Sequence, residues 1–174
     1  MFNELNLLKI FFEEPTREFN VREFARILKI APATASKQLE VLTTFGLLSQ
    51  RKDRLFHFYK ANLDNEFYRD VKIFYNLRKI KDSGLLDQLN DFYLKPTLVL
   101  FGSFASGLDT ETSDIDLFIF SENVKEFDKR EQFQKKLKRE IQIFVEKDIK
   151  HIKNKHLINN LLNGIVLQGK LKWI

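Results

Sequence analysis

The apolar positions of this chain repeat with two different periods, and the change from one to the other divides it. Over the first sixty residues the helical period dominates. Leu5, Leu7, Leu8, Ile10 and Phe11 predict an apolar helix. Glu14-Pro15 ends it, because a residue before proline is pushed out of the helical region. Asn20 stands three residues before Glu23 in the form of a capping box, and Val21, Phe24, Ala25 and Leu28 continue from it at helical spacing. A turn at Lys29-Ile30-Ala31 follows. Pro32 suits the first position of a third helix, where its missing N–H costs nothing. In that helix Ala35, Leu39 and Leu42 form one stripe, Lys37 and Ala33 lie opposite it, and Thr34, Ser36 and Gln38 sit toward its flanks. Gly46 ends the helix. Residues 47–50 and 55–59 then read as paired strands around a polar tip, Arg51-Lys52-Asp53-Arg54.

From 64 to 93 the helical spacing of Phe67, Val71, Phe74, Leu77 and Ile80 predicts connecting helices, interrupted at Ser83-Gly84. Past Pro96 the pattern becomes one of strands. Thr97-Leu98-Val99-Leu100-Phe101 is a buried-strand run, and Gly102-Ser103 turns it into a short helix. Residues 107–113 form a polar loop. Ile115, Leu117 and Ile119 then alternate with Asp114, Asp116 and Phe118 in a second strand. A charged helix over 125–138, a third strand over 140–145, helical segments to Leu162 and a fourth strand at Ile165-Val166-Leu167 complete the pattern. The fold class expected is α+β: an N-terminal helical domain with a hairpin over 1–62, a helical linker over 63–93, and a small mixed sheet with helices over 94–174.

Composition narrows the possibilities. The chain has no cysteine, so disulfides and thiolate metal sites are excluded. Met1-Phe2-Asn3-Glu4 carries no basic leader, and no run approaches the roughly 18 apolar residues of a membrane span. A cytoplasmic protein without a membrane partner is the expectation. The 18 phenylalanines are expected mostly in the core. The net charge of +5 is uneven: residues 1–60 sum to +3, 61–120 to −4 and 121–174 to +6. The basic ends suit a polyanionic partner. His57, His151 and His156 are too scattered for a metal site, and the last two, five apart, do not share a helix face.

The sharpest chemical pattern is Gly102-Ser103, ten residues, then Asp114-x-Asp116. Aspartates two apart on a strand point to the same side. Carboxylates held that close repel unless a hard divalent cation lies between them. Mg²⁺ prefers one or two protein carboxylates plus phosphate oxygens. A glycine–serine turn at a helix start presents N–H groups and a hydroxyl to a triphosphate. Together these predict metal-assisted attack on a nucleotide α-phosphate with pyrophosphate leaving.

The stretch Val-Leu-Phe-Gly-Ser-Phe-Ala-Ser-Gly…Ser-Asp-Ile-Asp-Leu-Phe, with the closing Asn-Gly-Ile-Val-Leu-Gln-Gly, resembles the minimal nucleotidyltransferases of the DNA polymerase beta superfamily over about residues 94–170. The resemblance implies the nucleotidyltransferase fold and transfer of a nucleoside monophosphate from NTP to a hydroxyl on a protein, RNA or small molecule. It also implies Mg²⁺ or Mn²⁺ as cofactor. Gly102, Ser103 and Ser113 would bind the nucleotide, and Asp114 and Asp116 would be catalytic and metal-binding. The chain departs from the family in two places. Gln142 falls in the slot of the usual third acidic residue, with Glu140 on the same strand face about 6–7 Å away as the other candidate ligand. Ser106 stands where the family often has Arg.

The segment Ile-Ala-Pro-Ala-Thr-Ala-Ser-Lys-Gln-Leu-Glu-Val-Leu, followed by Phe-Gly-Leu-Leu, resembles the winged helix-turn-helix domains of small prokaryotic transcriptional regulators. That implies DNA contacts from Thr34, Ser36, Lys37 and Gln38 in a major groove, with Arg51, Lys52 and Arg54 on the phosphate backbone. The other reading of this half is a protein-interaction or dimerisation module. Two functions therefore stand. One is a DNA-binding regulator with a metal-dependent nucleotidyltransferase domain, acting on a partner protein as in toxin–antitoxin systems and forming a homodimer. The other is a non-catalytic regulator or antitoxin whose second domain only binds nucleotide or dimerises.

Overall fold

A computed structural model describes residues 2–171 of the chain, with side chains from residue 7 onward. The predicted contribution of Leu5 and the expected end of the second domain at 172–174 lie outside the described residues. The chain divides between Lys72 and Ile73 into two compact units. Among the described residues there are eight α-helices and seven strands in two sheets, so the chain is α+β. No helix among them is long and apolar enough to cross a membrane.

The first unit holds α1 (Phe2–Glu13), β1 (Phe19–Asn20), α2 (Val21–Leu28), α3 (Pro32–Thr44), β2 (Leu48–Asp53) and β3 (Phe56–Ala61). The start of α2 is fixed by Asn20, whose side chain accepts the Glu23 N–H at 2.9 Å. Pro32 opens α3, and the stripe Ala35, Leu39 and Leu42 is buried. Phe11 packs edge-on against Phe19 and tilted against Phe24, at ring distances of 5.3 and 5.6 Å. Each such buried ring contributes about 1.5–3 kcal/mol. The three strands form an antiparallel sheet in the order β1-β3-β2.

The hairpin differs from its sequence reading. Its strands run on to Asp53 and resume at Phe56, with Asp53 opposite Phe56. Arg51 and Lys52 therefore lie within β2, and only Arg54 and Leu55 form the turn. The reason is local: Arg54 takes a left-handed φ of 51°, which lets two residues close the hairpin where four were expected.

α4 (Glu66–Asp82) contains the division between the units, and α5 (Leu85–Tyr93) follows it. The second unit is a four-stranded sheet in the order β6-β5-β4-β7, from β4 (Thr97–Phe101), β5 (Ile115–Phe120), β6 (Ile141–Glu146) and β7 (Ile165–Gln168). β4 is antiparallel to both β5 and β7. β5 and β6 are parallel, which demands a crossover; α7 (Arg130–Leu137) supplies it. Strand alternation splits the apolar residues between two layers. Leu98, Leu100, Ile115, Leu117 and Ile119 pack with Phe133 and Leu137 and with Ile80, Leu85 and Leu89. Val99, Phe101 and Phe118 pack on the other face with Ile149, Ile152 and Leu161. The last three come from a 3₁₀ turn (Ile149–His151), the residue after it, and α8 (Lys155–Leu162). The stretch read from sequence as a linker thus places α5 in the core of the second unit.

α7 is shorter than the 125–138 expected. Ser121 Oγ accepts the Asn123 N–H at 3.0 Å and Asn123 Oδ1 accepts the Lys125 N–H at 3.2 Å. These side chains satisfy the backbone in a bent form and delay the helix.

Candidate functional site

The bend after β4 is built around Gly102. Its φ is +71°, a conformation that L side chains rarely adopt, and α6 (Gly102–Ser106) starts from it. Space demands glycine too. A Cβ there would overlap Asp116 Oδ2 and stand 3.3 Å from Asp116 Cγ. The backbone of the bend and the carboxylate of Asp116 are therefore in direct apposition. Ser103 is half-buried, and its carbonyl accepts the N–H of Leu108 at 3.1 Å. Ser106 folds its hydroxyl back onto Ser103 O at 3.1 Å, so it serves the helix end.

The loop from α6 to β5 is anchored from within. Asp109 is 1% exposed and accepts Asn76 Nδ2 at 2.7 Å; the same amide reaches Phe104 O at 3.2 Å. Ser113 Oγ accepts the Thr110 N–H at 2.9 Å, which spends that hydroxyl on shaping the loop. Asn76 and Asp109 escaped the sequence reading. A lone Asn beside an apolar helical stripe carries no local sign of its partner 33 residues away.

Asp114 ends this loop and Asp116 lies in β5, with Phe101 opposite it on one side and Gln142 on the other. Both carboxylates are half-buried. Burial first, and the charge of Asp114 second, push the Asp116 carboxyl above its ordinary value. Gln142 Nε2 donates to Asp114 Oδ2 at 2.6 Å. An ionised carboxylate only accepts, so the amide nitrogen faces it and the amide oxygen is left for another partner. Glu140, the other candidate, is engaged by the side chain of Gln134, and its backbone carbonyl accepts the Ile115 N–H at 2.9 Å. Of the two, Gln142 is the one that touches the aspartates.

No cluster of three or more His, Asp or Glu poised for a metal occurs among the described residues. The donors here are two carboxylates and an amide oxygen, all hard. That set fits Mg²⁺ with phosphate oxygens completing its shell; burial chiefly, and the charge of Asp114 second, raise Asp116, and a cation offsets both.

The N-terminal candidates are more dispersed. Thr34, Ser36 and Lys37 are exposed on α3. Gln38 is half-buried with its Oε1 turned inward and without a hydrogen-bond partner, which removes it from a base-reading face. Arg51 is held by Glu18 through Nε at 3.0 Å and a second nitrogen at 2.7 Å, and lies 5.0 Å over the Phe58 ring. The Arg51 hydrogen bond lowers the Glu18 carboxyl. Arg51 is therefore not a free cation awaiting phosphate, as its sequence position promised. Lys52 and Arg54 are exposed. A cavity of about 700 Å³ separates α3 from the hairpin, lined among others by Ser36, Glu40, Gln50, Phe56 and His57.

No curated protein matches the chain. Residues 82–167, which contain the Gly102 bend, both aspartates and Gln142, match the family model of the nucleotidyltransferase domain.

Proposed function

We propose that the chain transfers a nucleoside monophosphate from NTP to a hydroxyl acceptor, with a divalent cation, and that its first unit is a winged helix-turn-helix that binds DNA. The observation that carries the first part is the apposition of Gly102 and Asp116, with Asp114 beside it. It brings the glycine bend and an anionic pair together, which supports a phosphate and metal site there. The acceptor oxygen bonds to the α-phosphorus, the bond to the β-phosphate oxygen breaks, pyrophosphate leaves, and the hydroxyl proton passes to solvent. Asp114 and Asp116 hold the cation, which when bound neutralises charge on the phosphates. The Gly102-Ser103 backbone orients the triphosphate. Gln142 fixes the rotamer of Asp114 and cannot take up a proton, so turnover is slow.

The order helix, strand, helix, helix, hairpin and the exposed Thr34, Ser36 and Lys37 support the DNA-binding reading. Lys52 and Arg54 then serve the phosphates. A protein acceptor, including a toxin partner, and a homodimer reading two half-sites are compatible with this arrangement.

Incubation with α-labelled NTP, Mn²⁺ and cell extract tests the transferase: label transfer that Asp114→Ala abolishes is expected. A second reading is favoured by the Gln142–Asp114 hydrogen bond, which occupies the aspartate with an amide. On that reading the domain binds nucleotide and transfers nothing, and the same experiment yields binding without label transfer. A gel shift against the promoter of the chain's own gene tests DNA binding; absence of a shift at low salt counts against it.

A further inference from the structure

Residues 149–171 contain no Asp or Glu, yet they carry Lys150, Lys153, Lys155 and Lys170. The fold turns the first three of these outward together. Ile149, Ile152 and Leu161 pack with Val99, Phe101 and Phe118, which pins the 3₁₀ turn and α8 to the sheet. The side chains between these anchors are exposed: Lys150, His151, Lys153, Lys155 and His156. Backbone form sets their direction. Ile152 and Asn154 are extended. Ile152 points into the core, and Asn154 Oδ1 turns back to accept the N–H groups of His156 at 3.0 Å and Leu157 at 3.3 Å. Alternation leaves Lys153 and Lys155 on a common outward side, about 6–7 Å apart along the chain.

Several other cations of the second unit are already engaged. Arg130 pairs with Glu126 at 3.2 Å, Lys147 pairs with Glu122 at 3.3 Å, and Lys136 Nζ donates to Ser83 O at 2.5 Å. Lys150, Lys153 and Lys155 make no ion pair among the described residues. Asp148, the acid nearest to them in sequence, is occupied: it accepts the Lys150 N–H at 2.7 Å and meets His151 Nδ1 at 3.0 Å. Uncompensated cations so close together attract a polyanion. α8 adds a second chemistry. Leu157, Ile158 and Leu161 face the sheet, whereas His156, Asn159 and Asn160 share the opposite, exposed side at helical spacing. A carboxamide offers both donors and an acceptor. Lysines beside exposed asparagines are suited to the phosphates and base edges of a nucleic acid, whereas an acidic protein would engage the cations alone.

We propose that the 3₁₀ turn and α8 form a nucleic-acid contact surface on the second unit. Lys150, Lys153 and Lys155 lie on phosphates, and Asn159 and Asn160 meet sugar or base edges. The surface is separate from the DNA contacts assigned to the first unit. It uses neither Gly102 nor the aspartates, so it stands whether or not the chain transfers a nucleotide.

Fluorescence anisotropy of the full chain with 5′-labelled oligouridine and oligothymidine is the test. Lys52→Glu/Arg54→Glu serves as the background, so that binding by the first unit is silenced. This background protein binds at low salt and loosens as salt rises. Adding Lys150→Glu/Lys153→Glu/Lys155→Glu weakens binding about tenfold or more. The milder Lys→Gln set at the same three positions flattens the dependence of log affinity on log salt by about two, as loss of three single-strand phosphate contacts requires. Adding Asn159→Ala/Asn160→Ala instead weakens binding about threefold and leaves the salt slope unchanged, because uncharged hydrogen bonds are lost. All these side chains are exposed, and circular dichroism checks that each variant is folded. Preference for either oligomer identifies the sugar and supports the proposal. No binding by the background protein at low salt overturns it, as does affinity that the lysine variants leave unchanged. Equal competition by a poly-glutamate peptide also overturns it, since the surface would then fit an acidic protein.

Discussion

The bend at Gly102 and the surface formed by α3 and its hairpin were both marked by short polar motifs, yet the fold treats them differently. In the second unit, sheet register delivers the side chains. Asp116 is fixed between Phe101 and Gln142 by its place in β5, and Gly102 is forced against it by chain direction. In the first unit the candidates are long side chains on exposed elements, and distant neighbours decide what they do. Glu18 captures Arg51 across 33 residues of sequence, and Gln38 turns inward. Backbone-borne positions are thus readable from local pattern, whereas surface cations are readable only once their partners are known.

That contrast is open to direct attack. The largest effect belongs to Asp114→Ala, which is expected to reduce label transfer at least about a hundredfold, because the cation loses one of two carboxylates. Next comes Gly102→Ala. A Cβ in the left-handed region costs about 1–2 kcal/mol before the overlap with Asp116 is added. Thermal unfolding should show a drop of several degrees, together with loss of nucleotide binding. Asn76→Ala removes a donor from buried Asp109 and should cost about 1–3 kcal/mol by denaturant titration.

A smaller effect has a sign that sharpens the account. Because Asp116 is held above its ordinary value, the folded chain keeps a proton that the unfolded chain has lost, and stability falls as pH rises through the folded value. Asp116→Asn is therefore expected to raise the melting temperature by a few degrees near pH 7. Near pH 3, where both states are protonated, it should change nothing. A gain at both values would locate the effect elsewhere. The smallest effect is expected from Glu18→Ala. It releases Arg51 from Glu18, leaving the longer Asp53 contact at 3.4 Å, and should leave the melting temperature unchanged, since exposed pairs add little. Duplex DNA affinity should rise modestly in a gel shift.

Much of the architecture was legible because hydrophobic period reports burial directly. The strands of β4 and β5, the Pro32 start of α3 and the Asn20 cap all follow from residues within one turn or one strand. The errors arose where side chains compete with the backbone. Ser121 and Asn123 bend the segment before α7, and Arg54 adopts a conformation that its side chain does not announce. Spacing singled out Gly102, Ser103, Asp114 and Asp116, and the family resemblance singled out Gln142; the fold brings Gly102 against Asp116 and Gln142 against Asp114. The Asn76–Asp109 anchor was not readable, since it depends on a contact between segments far apart in sequence.

The central claim is that Gly102 and the two aspartates form one pocket for a metal-bound nucleotide. Titration calorimetry of the full chain with ATP tests it. Binding that requires Mn²⁺, and that disappears in both Asp114→Ala and Gly102→Ala while each keeps a native circular dichroism spectrum, is the expected result. Equal binding by folded variants, or none by wild type with Mn²⁺ present, would contradict it.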